Sequence, residues 1–440
     1  MNKYSLSALA AAGLIAGSLS TGSASAADLG GNCCADLEER IAELEATTAR
    51  KGNRKVSLTV SGWVGQQVMW WDDGSESNAY VTDLGSTLGS HVKFTGQATI
   101  LPGWTAGYVL HIEAIGSDSL TTNQDTPDGR NALSQSAGQT NGVSTLQSFW
   151  FIKSDQLGKV SVGKQSDAAD NAAILVDGSG SLVPANWVAF DVNSFGIRTK
   201  NGMFLDGAGG FTTSANASAA VWGGSYCQSA GGAWGDCFGV PRNVVRYDSP
   251  SFGGFSVSAS WGEDDIWAIT TRYAGEWADF KVAGVASYAE STDENLNAGI
   301  QGVTQRYFQA GAYVEHIPTG LFAYGAYGHD DYDFAGSGQS ETWYGKAGIR
   351  QRWTPLGHTI LYGEYENARG SGDFSQSELA DIGATHDRTE VIGGGVVQEI
   401  DSAAMSIWVK YRHLDYSDNN TSDIGYENFQ YVGMGALINF

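Results

Sequence analysis

The sequence predicts an all-β protein, a sixteen-stranded antiparallel transmembrane β-barrel preceded by a short N-terminal periplasmic helix. From residue 56 to the end of the chain, apolar and polar residues alternate over long stretches, which is typical of strands with one apolar face. Glycine is abundant (59 of 440 residues), and only 17% of residues are charged. Beyond the N-terminus, no apolar run approaches the ~20 residues that a membrane-spanning helix needs. Such a composition is compatible with a membrane only if strands cross it.

The first 26 residues have the features of a secretory signal peptide. Lys3 supplies a positive charge, 6–19 is a short apolar stretch, and Ala24-Ser25-Ala26 forms a small-residue cleavage site. We therefore predict a signal peptide over 1–26 and export of the rest of the chain. The net charge of −23 argues against nucleic acid as a partner.

Residues 27–55 form a predicted periplasmic extension that contains a short, coiled-coil-like helix over 35–50. Four residues of this helix have the spacing of a heptad seam: Leu37, Ile41, Leu44 and Thr48. The seam covers only about two heptads, and isolated helices this short are marginal in water. The helix therefore needs a partner, which is either the rest of its own chain or another copy of it.

The four cysteines predict one loop disulfide and no metal site. Cys227 and Cys237 flank a glycine-rich segment, and in an exported protein this arrangement favours a disulfide over two free thiols. Cys33 and Cys34 are adjacent and receive no assignment. Because no paired histidines lie near the cysteines, we predict no zinc site there. We also expect no cofactor.

The predicted barrel domain covers 56–440. Apolar and polar residues alternate from Val92 to Ile100 and again from Trp104 to Ile112, and Pro102-Gly103 makes a tight turn between them. These strands are longer than the ~5–6 residues usual in globular proteins. Sixteen segments of this kind are predicted: 56–71, 90–101, 104–116, 146–153, 159–165, 241–249, 253–262, 265–274, 279–290, 305–315, 320–329, 340–353, 357–367, 387–398, 403–416 and 426–440.

The connections alternate between short turns and mostly longer, acidic loops. The long ones are 117–145, 166–240, 291–304, 368–386 and 417–425. Short turns at one rim and long loops at the other are typical of outer-membrane barrels, and an even strand number puts both ends of the sheet on the periplasmic side. A barrel of this size is too wide for its wall side chains to fill, so we expect water in its interior.

Aromatic residues near the strand ends and at the end of the chain support a membrane location. Tryptophans that favour the headgroup level lie near predicted strand ends: Trp70, Trp71, Trp104, Trp261, Trp267, Trp277 and Trp353. The last segment alternates and closes on Phe440. This ending resembles the assembly signal of outer-membrane barrel proteins.

Four stretches resemble general-diffusion porins of the alphaproteobacterial type. In sequence order they are CCADLEERIAELEATTARKGNRKVSLTVSG at 33–62, LGKVSVGKQ at 157–165, VVRYDSPSFGGFSVSASWG at 244–262 and GKAGIRQRWTPLGHTILYGEY at 345–365. The resemblance covers essentially the whole chain after the signal peptide. It implies homotrimers in the outer membrane, in contact with lipid and lipopolysaccharide, that pass small hydrophilic solutes and ions without any enzymatic reaction. It also implies that the third external loop, here 166–240, folds into the lumen as a constriction.

Solutes in such a channel are selected by pore width and by the field between charges that face each other at the constriction. The inserted loop would supply the acidic side, with Asp167, Asp170, Asp177 and Asp191. The alternation of each strand places a basic side on the inner wall, with Arg242, Arg246, Arg272, Lys346, Arg350 and Arg352. Lys164 matches the basic residue of a family motif, although its alternation groups it with Val160 and Val162.

Three other classes of protein stay open from the sequence. A barrel enzyme would need a nucleophile, a base and an orienting group at one site, and the chain has no Gly-x-Ser-x-Gly motif. A soluble carbohydrate-binding sheet protein would use the tryptophans as sugar platforms. A barrel that acts mainly as an adhesin or receptor would use the long loops.

Overall fold

The computed structural model describes residues 55–127, 142–206, 209–225, 241–262, 265–292, 304–333, 338–371 and 382–440. The predicted signal peptide, the predicted helix over 35–50 and the predicted disulfide between Cys227 and Cys237 lie outside these residues. Within the described ranges, no helix combines the length and the apolar character required to cross a membrane.

Nineteen strands occur in the described part of the chain. In chain order they are β1 Thr59–Asp72, β2 Ser77–Thr82, β3 Ser90–Leu101, β4 Trp104–Ile115, β5 Gly142–Ser154, β6 Gly158–Gln165, β7 Phe204–Leu205, β8 Phe211–Thr212, β9 Arg242–Asp248, β10 Phe255–Gly262, β11 Ile266–Trp277, β12 Phe280–Ser291, β13 Thr304–His316, β14 Leu321–Asp333, β15 Gln339–Thr354, β16 Gly357–Ser371, β17 His386–Ile400, β18 Met405–Asp418 and β19 Phe429–Asn439. Two short helices, α1 Leu182–Asn186 and α2 Val188–Val192, lie between β6 and β7.

Sixteen of these strands form a closed antiparallel barrel. Each long strand pairs with its neighbour in sequence, and β1 closes the cylinder by pairing with both β19 and β3. At the seam, Trp63 lies opposite Asn439 and Asp72 lies opposite Gln430. Closure leaves no edge strand, which hydrocarbon requires because unpaired backbone groups cannot be satisfied there. The predicted sixteen-stranded barrel is therefore confirmed.

Strand β2 is an addition that the sequence did not predict. It pairs with Gln67–Asp72 in the second half of β1, whereas β3 pairs only with Thr59–Trp63 in the first half. β2 thus fills the wall beside the part of β1 that β3 does not reach. A strand of only six residues, SNAYVT, carries too little alternation to stand out.

The short connections lie at the rim that also holds the start of β1 and the end of β19. Pro102-Gly103 joins β3 to β4, and Ala278-Asp279 joins β11 to β12. The second turn has positive φ at both residues (46° and 68°), which is the geometry of a type I′ hairpin. The long connections reach the other rim, as predicted.

Side chains alternate between the two faces of the wall. On β1, Val64 and Val68 are exposed on the outer face, and Gln67 and Met69 are buried on the inner face. An apolar outer face of this kind is what lipid requires. Most of the predicted interfacial tryptophans are exposed, but Trp71 is an exception: it points inwards and is buried against Tyr80 and Phe195.

The inserted loop occupies part of the barrel interior, so the open space is narrower than the strand number alone predicts. The segment that follows β6 folds into the lumen and packs against the inner wall. Apolar loop residues and inward aromatic residues share one buried core, including Ile174, Val188, Phe195, Tyr324, Phe429 and Tyr431. The physical reason is that a long inserted loop brings apolar residues of its own, which the aromatic inner wall removes from water.

Candidate functional site in the barrel lumen

The inserted loop leaves the wall at Gln165 and is bound at once by polar side chains of the strands β10, β11, β13 and β14. These side chains bind loop backbone groups: Ser260 Oγ accepts from Ala168 N–H (2.9 Å), Thr270 Oγ1 donates to Ala168 O (2.6 Å), Gln309 Nε2 donates to Ala169 O (2.6 Å) and Tyr324 OH donates to Ala173 O (2.7 Å). The loop path is therefore fixed by hydrogen bonds between side chains of four wall strands and the loop backbone.

Three of the predicted basic residues converge on the first residues of this loop. Arg246 Nη1 donates to Ser166 O (3.0 Å) and to Asp167 O (2.9 Å). Arg272 Nη2 donates to the carbonyl of residue 168 (3.2 Å). Arg242 Nε lies 3.7 Å from Asp167 Oδ2, and both side chains are buried. These arginines hold the loop where it enters the lumen.

A buried ion pair fixes the middle of the loop. Lys346 Nζ lies 2.5 Å from Asp177 Oδ2, with no exposed surface on either side chain. The same ammonium donates to Ser181 Oγ (2.9 Å) and Asn186 Oδ1 (2.8 Å). Three loop oxygens therefore accept the three N–H donors of one wall lysine, which is the arrangement that makes a buried charge tolerable.

A second buried cluster fixes the loop further along the chain, in α2. Asp191 Oδ2 accepts from Lys410 Nζ (2.5 Å), Arg412 Nη1 (3.0 Å) and Tyr431 OH (2.8 Å), and Asp191 Oδ1 accepts from Gln67 Nε2 (2.6 Å). The carboxylate is thus shared among strands β18, β19 and β1. It joins the loop to the strands that close the barrel.

Lys410 and Arg412 were missing from the sequence prediction. Arg412 also binds Glu364 (Nε to Oε1, 2.7 Å) and donates to the carbonyl of Ala185. The signal was present in the sequence, because β18 alternates: Val409 and Tyr411 are exposed on the outer face, which puts Lys410 and Arg412 on the inner face. Their loop partner Asp191 was predicted from the family resemblance, but its pairing with these two residues was not, because loop positions have no periodicity.

Asp170 and Arg350 also face the lumen, in different surroundings. Asp170 is buried near the start of the loop and accepts from Asn171 Nδ2 (2.5 Å). Arg350 Nη2 makes a bidentate contact with Glu399 (3.0 and 2.9 Å). Arg350 is only partly buried and borders the remaining open space.

Two predicted basic residues lie away from this site. Arg352 is half exposed at the short-turn rim, where its Nη2 contacts Asp401 Oδ2 (2.5 Å). Lys164 shares the outer face of β6 with the exposed Val160, and its Nζ donates to Thr145 O (2.9 Å). The structure therefore does not bring Lys164 or Arg352 to the narrow region. For Lys164 the alternation of the strand prevails over the motif match.

The charges of the loop and the wall form direct pairs. They were expected to face each other across water, but Asp177 and Asp191 are buried against their basic partners. A charge withdrawn from water needs a partner at contact distance, so an inserted loop that packs on the wall also pairs with it. In this structure the predicted acidic and basic sides act together as the attachment of the loop.

A cavity of about 310 Å³ lies between the loop and the rest of the inner wall. The loop contributes Leu175, Leu182 and Val183, and the wall contributes Trp63, Trp408 and Leu437. Polar groups also border it, among them Arg350, Glu399 and His111. This cavity is an open space beside the inserted loop, within the part of the chain that the structure describes.

A closed barrel with a loop fixed inside its lumen defines a membrane channel. A family model described as Gram-negative porin matches residues 7–419, and the chain belongs to that family. It is an outer-membrane β-barrel that provides a channel for passive diffusion. No curated protein sequence matches the chain.

Solved structures of low sequence identity share the fold. The chain is similar to the anion-selective porin from Comamonas acidovorans (15% identity, 88% of this chain and 100% of that chain, TM-score 0.53). It is also similar to OmpF of Salmonella typhi in complex with daunomycin (13% identity, 88% of this chain and 98% of that chain, TM-score 0.51). The trimer form of OmpT, an outer membrane protein of Vibrio cholerae, is a third example (11% identity, 88% of this chain and 99% of that chain, TM-score 0.50).

Proposed function

We propose that this protein is a general-diffusion porin of the alphaproteobacterial type whose channel is narrowed by a loop attached to the inner wall. The observation that carries the proposal is the pair of buried clusters at Asp177 and Asp191, which hold the loop inside the closed barrel. Small hydrophilic solutes and ions diffuse through the space that the loop leaves free. The channel performs no bond chemistry and is not an enzyme.

The proposed constriction is formed by the acidic loop and the basic wall residues together. Its acidic members are Asp167, Asp170, Asp177 and Asp191, and its basic members are Arg242, Arg246, Arg272, Lys346 and Arg350. Because most of these charges are paired, their fields largely cancel. We therefore expect only a weak ion preference, set by the partly exposed pairs Arg246–Asp248 and Arg350–Glu399.

The proposed organisation of the chain is a signal peptide over 1–26, an extension over 27–55 and a barrel domain over 56–440 with its constriction loop at 166–240. The working unit is a homotrimer surrounded by lipid and lipopolysaccharide. An exposed apolar outer face supports the contact with lipid. OmpT of Vibrio cholerae, which has a similar fold, has a trimer form. That observation concerns OmpT, and it is consistent with a homotrimer here.

Reconstitution of the purified protein tests this function. In a planar bilayer, we expect stepwise and nearly ohmic currents in KCl, and liposomes should swell in small sugars but not in large ones. Heat-denatured protein is the control. Folded, heat-modifiable protein that inserts without producing either signal would contradict the channel function and favour a receptor or adhesin.

A further inference from the structure

Two arginines lie directly opposite each other on the outer face of the barrel wall. Arg369 on β16 is in register with Arg388 on β17. Four residues further into each strand, Tyr365 and Ile392 are exposed on the outer face, and the alternation of a strand puts both guanidinium groups on that same face. Like charges directly opposite each other on neighbouring strands are unfavourable. An anion that contacts both arginines would remove this repulsion.

Both guanidinium groups keep donors for such an anion. Arg369 is exposed, and its only hydrogen bond among the described residues runs from Nε to Asn367 Oδ1 (2.9 Å). The side chain of Arg388 is 41% exposed, and its Nη2 donates to Glu390 Oε1 (2.6 Å). Since a guanidinium group has five N–H donors, most of the donors of the pair stay available.

The neighbouring carboxylates do not take the place of this anion. Glu341 lies opposite Arg369 on the other side, on β15, but within the described ranges it forms no ion pair with this arginine. Glu341 Oε1 accepts instead from Tyr327 OH (3.0 Å). Glu390 Oε1 accepts from Tyr365 OH (2.6 Å). The two carboxylates therefore bind tyrosines that lie nearer the centre of the membrane.

Aromatic side chains mark the height of the two arginines in the membrane. Trp343 and Tyr365 are exposed on the outer face, and such rings favour the headgroup level. Trp343 lies opposite Asn367, so Arg369 is two residues nearer the long-loop rim than Trp343 and four residues nearer than Tyr365. At ~3.3 Å per residue along a strand, the arginines lie among the headgroups of the outer leaflet.

We propose that Arg369 and Arg388 bind a phosphate group of lipopolysaccharide. A guanidinium group binds phosphate through two parallel N–H donors, and a phosphate with more than one negative charge can pair with two arginines. The acyl chains of the lipid then follow the apolar outer face past Tyr365 and Ile392. The inference rests on the proposed function, which places lipopolysaccharide around the barrel.

Binding of lipid A, the phosphorylated anchor of lipopolysaccharide, tests this inference. Native mass spectrometry of the full chain released from detergent micelles counts the bound lipid molecules, and EDTA removes divalent cations that bridge carboxylates to phosphate. Diphosphoryl lipid A should bind more tightly than the same lipid without its phosphates. Arg369→Gln with Arg388→Gln should weaken binding of diphosphoryl lipid A at least about tenfold and leave binding of the phosphate-free lipid unchanged.

Arg306→Gln is the matched control. Arg306 lies at the same rim and on the outer face, like the exposed Phe308, but its guanidinium group already contacts Asp331 (3.4 Å) and Asp333 (3.2 Å). Its replacement should therefore leave lipid A binding unchanged. Heat-modifiable migration shows that each variant is folded.

The outcomes separate this inference from the proposed function. Equal binding of diphosphoryl lipid A by the wild-type chain and the double variant, in a protein that conducts KCl, would overturn this inference alone. An equal loss of binding in Arg306→Gln would also overturn it. Expected lipid A binding by a protein that inserts into bilayers without conducting would overturn the channel function alone, and a folded protein that does not insert would overturn both.

Discussion

Lys346 Nζ lies 2.5 Å from Asp177 Oδ2, and neither side chain has any exposed surface. The lysine belongs to the wall strand β15 and the aspartate to the inserted loop. Each charge would be strongly unfavourable alone in this place, and the two are stable there only together. The position of the loop therefore depends on this pair and on the equivalent cluster at Asp191.

Lys346→Met should loosen the loop without unfolding the barrel. The change leaves Asp177 as a buried charge without its ammonium, and breaking a buried pair from one side costs about 3–5 kcal/mol. We expect larger current fluctuations and faster cleavage of the loop by an added protease. Single-channel recording and limited proteolysis measure both effects.

The double variant Lys346→Met with Asp177→Asn should restore much of the attachment. It removes both charges, so no carboxylate is left buried without compensation, and such replacements are often nearly neutral. If the double variant is as noisy as the single one, the pair is not what holds the loop.

Arg350→Gln should shift the reversal potential towards cations. Glu399 then borders the cavity without its bidentate guanidinium partner, and a fixed negative charge there attracts cations. Bilayers under a KCl gradient measure the shift. Arg352→Gln is the matched control on the same strand, because Arg352 lies at the rim with Asp401; an equal shift in both variants would place the selective region elsewhere.

Adjacent positions on one strand should differ in their access to water. Ile152 is exposed on the outer face of β5, while Lys153 has the opposite orientation and is also exposed. In proteoliposomes, a membrane-impermeant maleimide should label Lys153→Cys and leave Ile152→Cys unlabelled. In detergent-free lipid, equal labelling of the two would be inconsistent with the assigned faces of the wall.

The packing of the external segments around Asp118 should tighten as the pH falls. Burial, with a smaller contribution from the neighbouring Asp83, raises the pKa of Asp118 to about 6. The folded state therefore binds a proton more readily than the unfolded state, whose pKa is about 3.9. At pH 7 the protonation of Asp118 adds nothing to the free energy of unfolding. Its contribution grows as the pH falls from about 6 to about 4 and reaches up to about 3 kcal/mol.

Hydrogen exchange of the Ser86 and Leu120 amides measures this effect, because both donate to Asp118 Oδ1. Protection, corrected for intrinsic exchange, should increase on acidification. Asp118→Asn keeps the acceptor and loses the titration, so its protection should vary less with pH. Burial also raises the pKa of Asp83. The Asp118→Asn variant should therefore keep a smaller increase in protection on acidification. Identical pH profiles for the two proteins would contradict the assignment.

The wall of the barrel could be predicted because it is periodic. Lipid on one face imposes a two-residue alternation, and this is why the long strands and the inward positions of Lys346 and Arg350 followed from the sequence. The same rule could have identified Lys410 and Arg412. Where a motif match and the alternation disagreed, at Lys164, the alternation agreed with the structure.

The interior could not be predicted in the same way. A loop that packs inside the lumen has no period, and its partners are distant in sequence: Asp191 lies 219 residues from Lys410. The aromatic residues at inward positions were the available signal, because covering the rings of Tyr324 and Tyr431 removes a large apolar area from water. They indicated that something apolar would cover the inner wall, without indicating which segment.

Thiol modification of a loop residue during current recording tests the central claim most directly. Leu182→Cys places a thiol on the inserted loop beside the cavity. A charged, membrane-impermeant thiol reagent should then produce a stepwise fall in single-channel conductance, while the wild-type chain with its four cysteines and a Leu120→Cys variant should show none. Complete modification of Leu182→Cys with unchanged conductance would show that the loop does not border the conducting path.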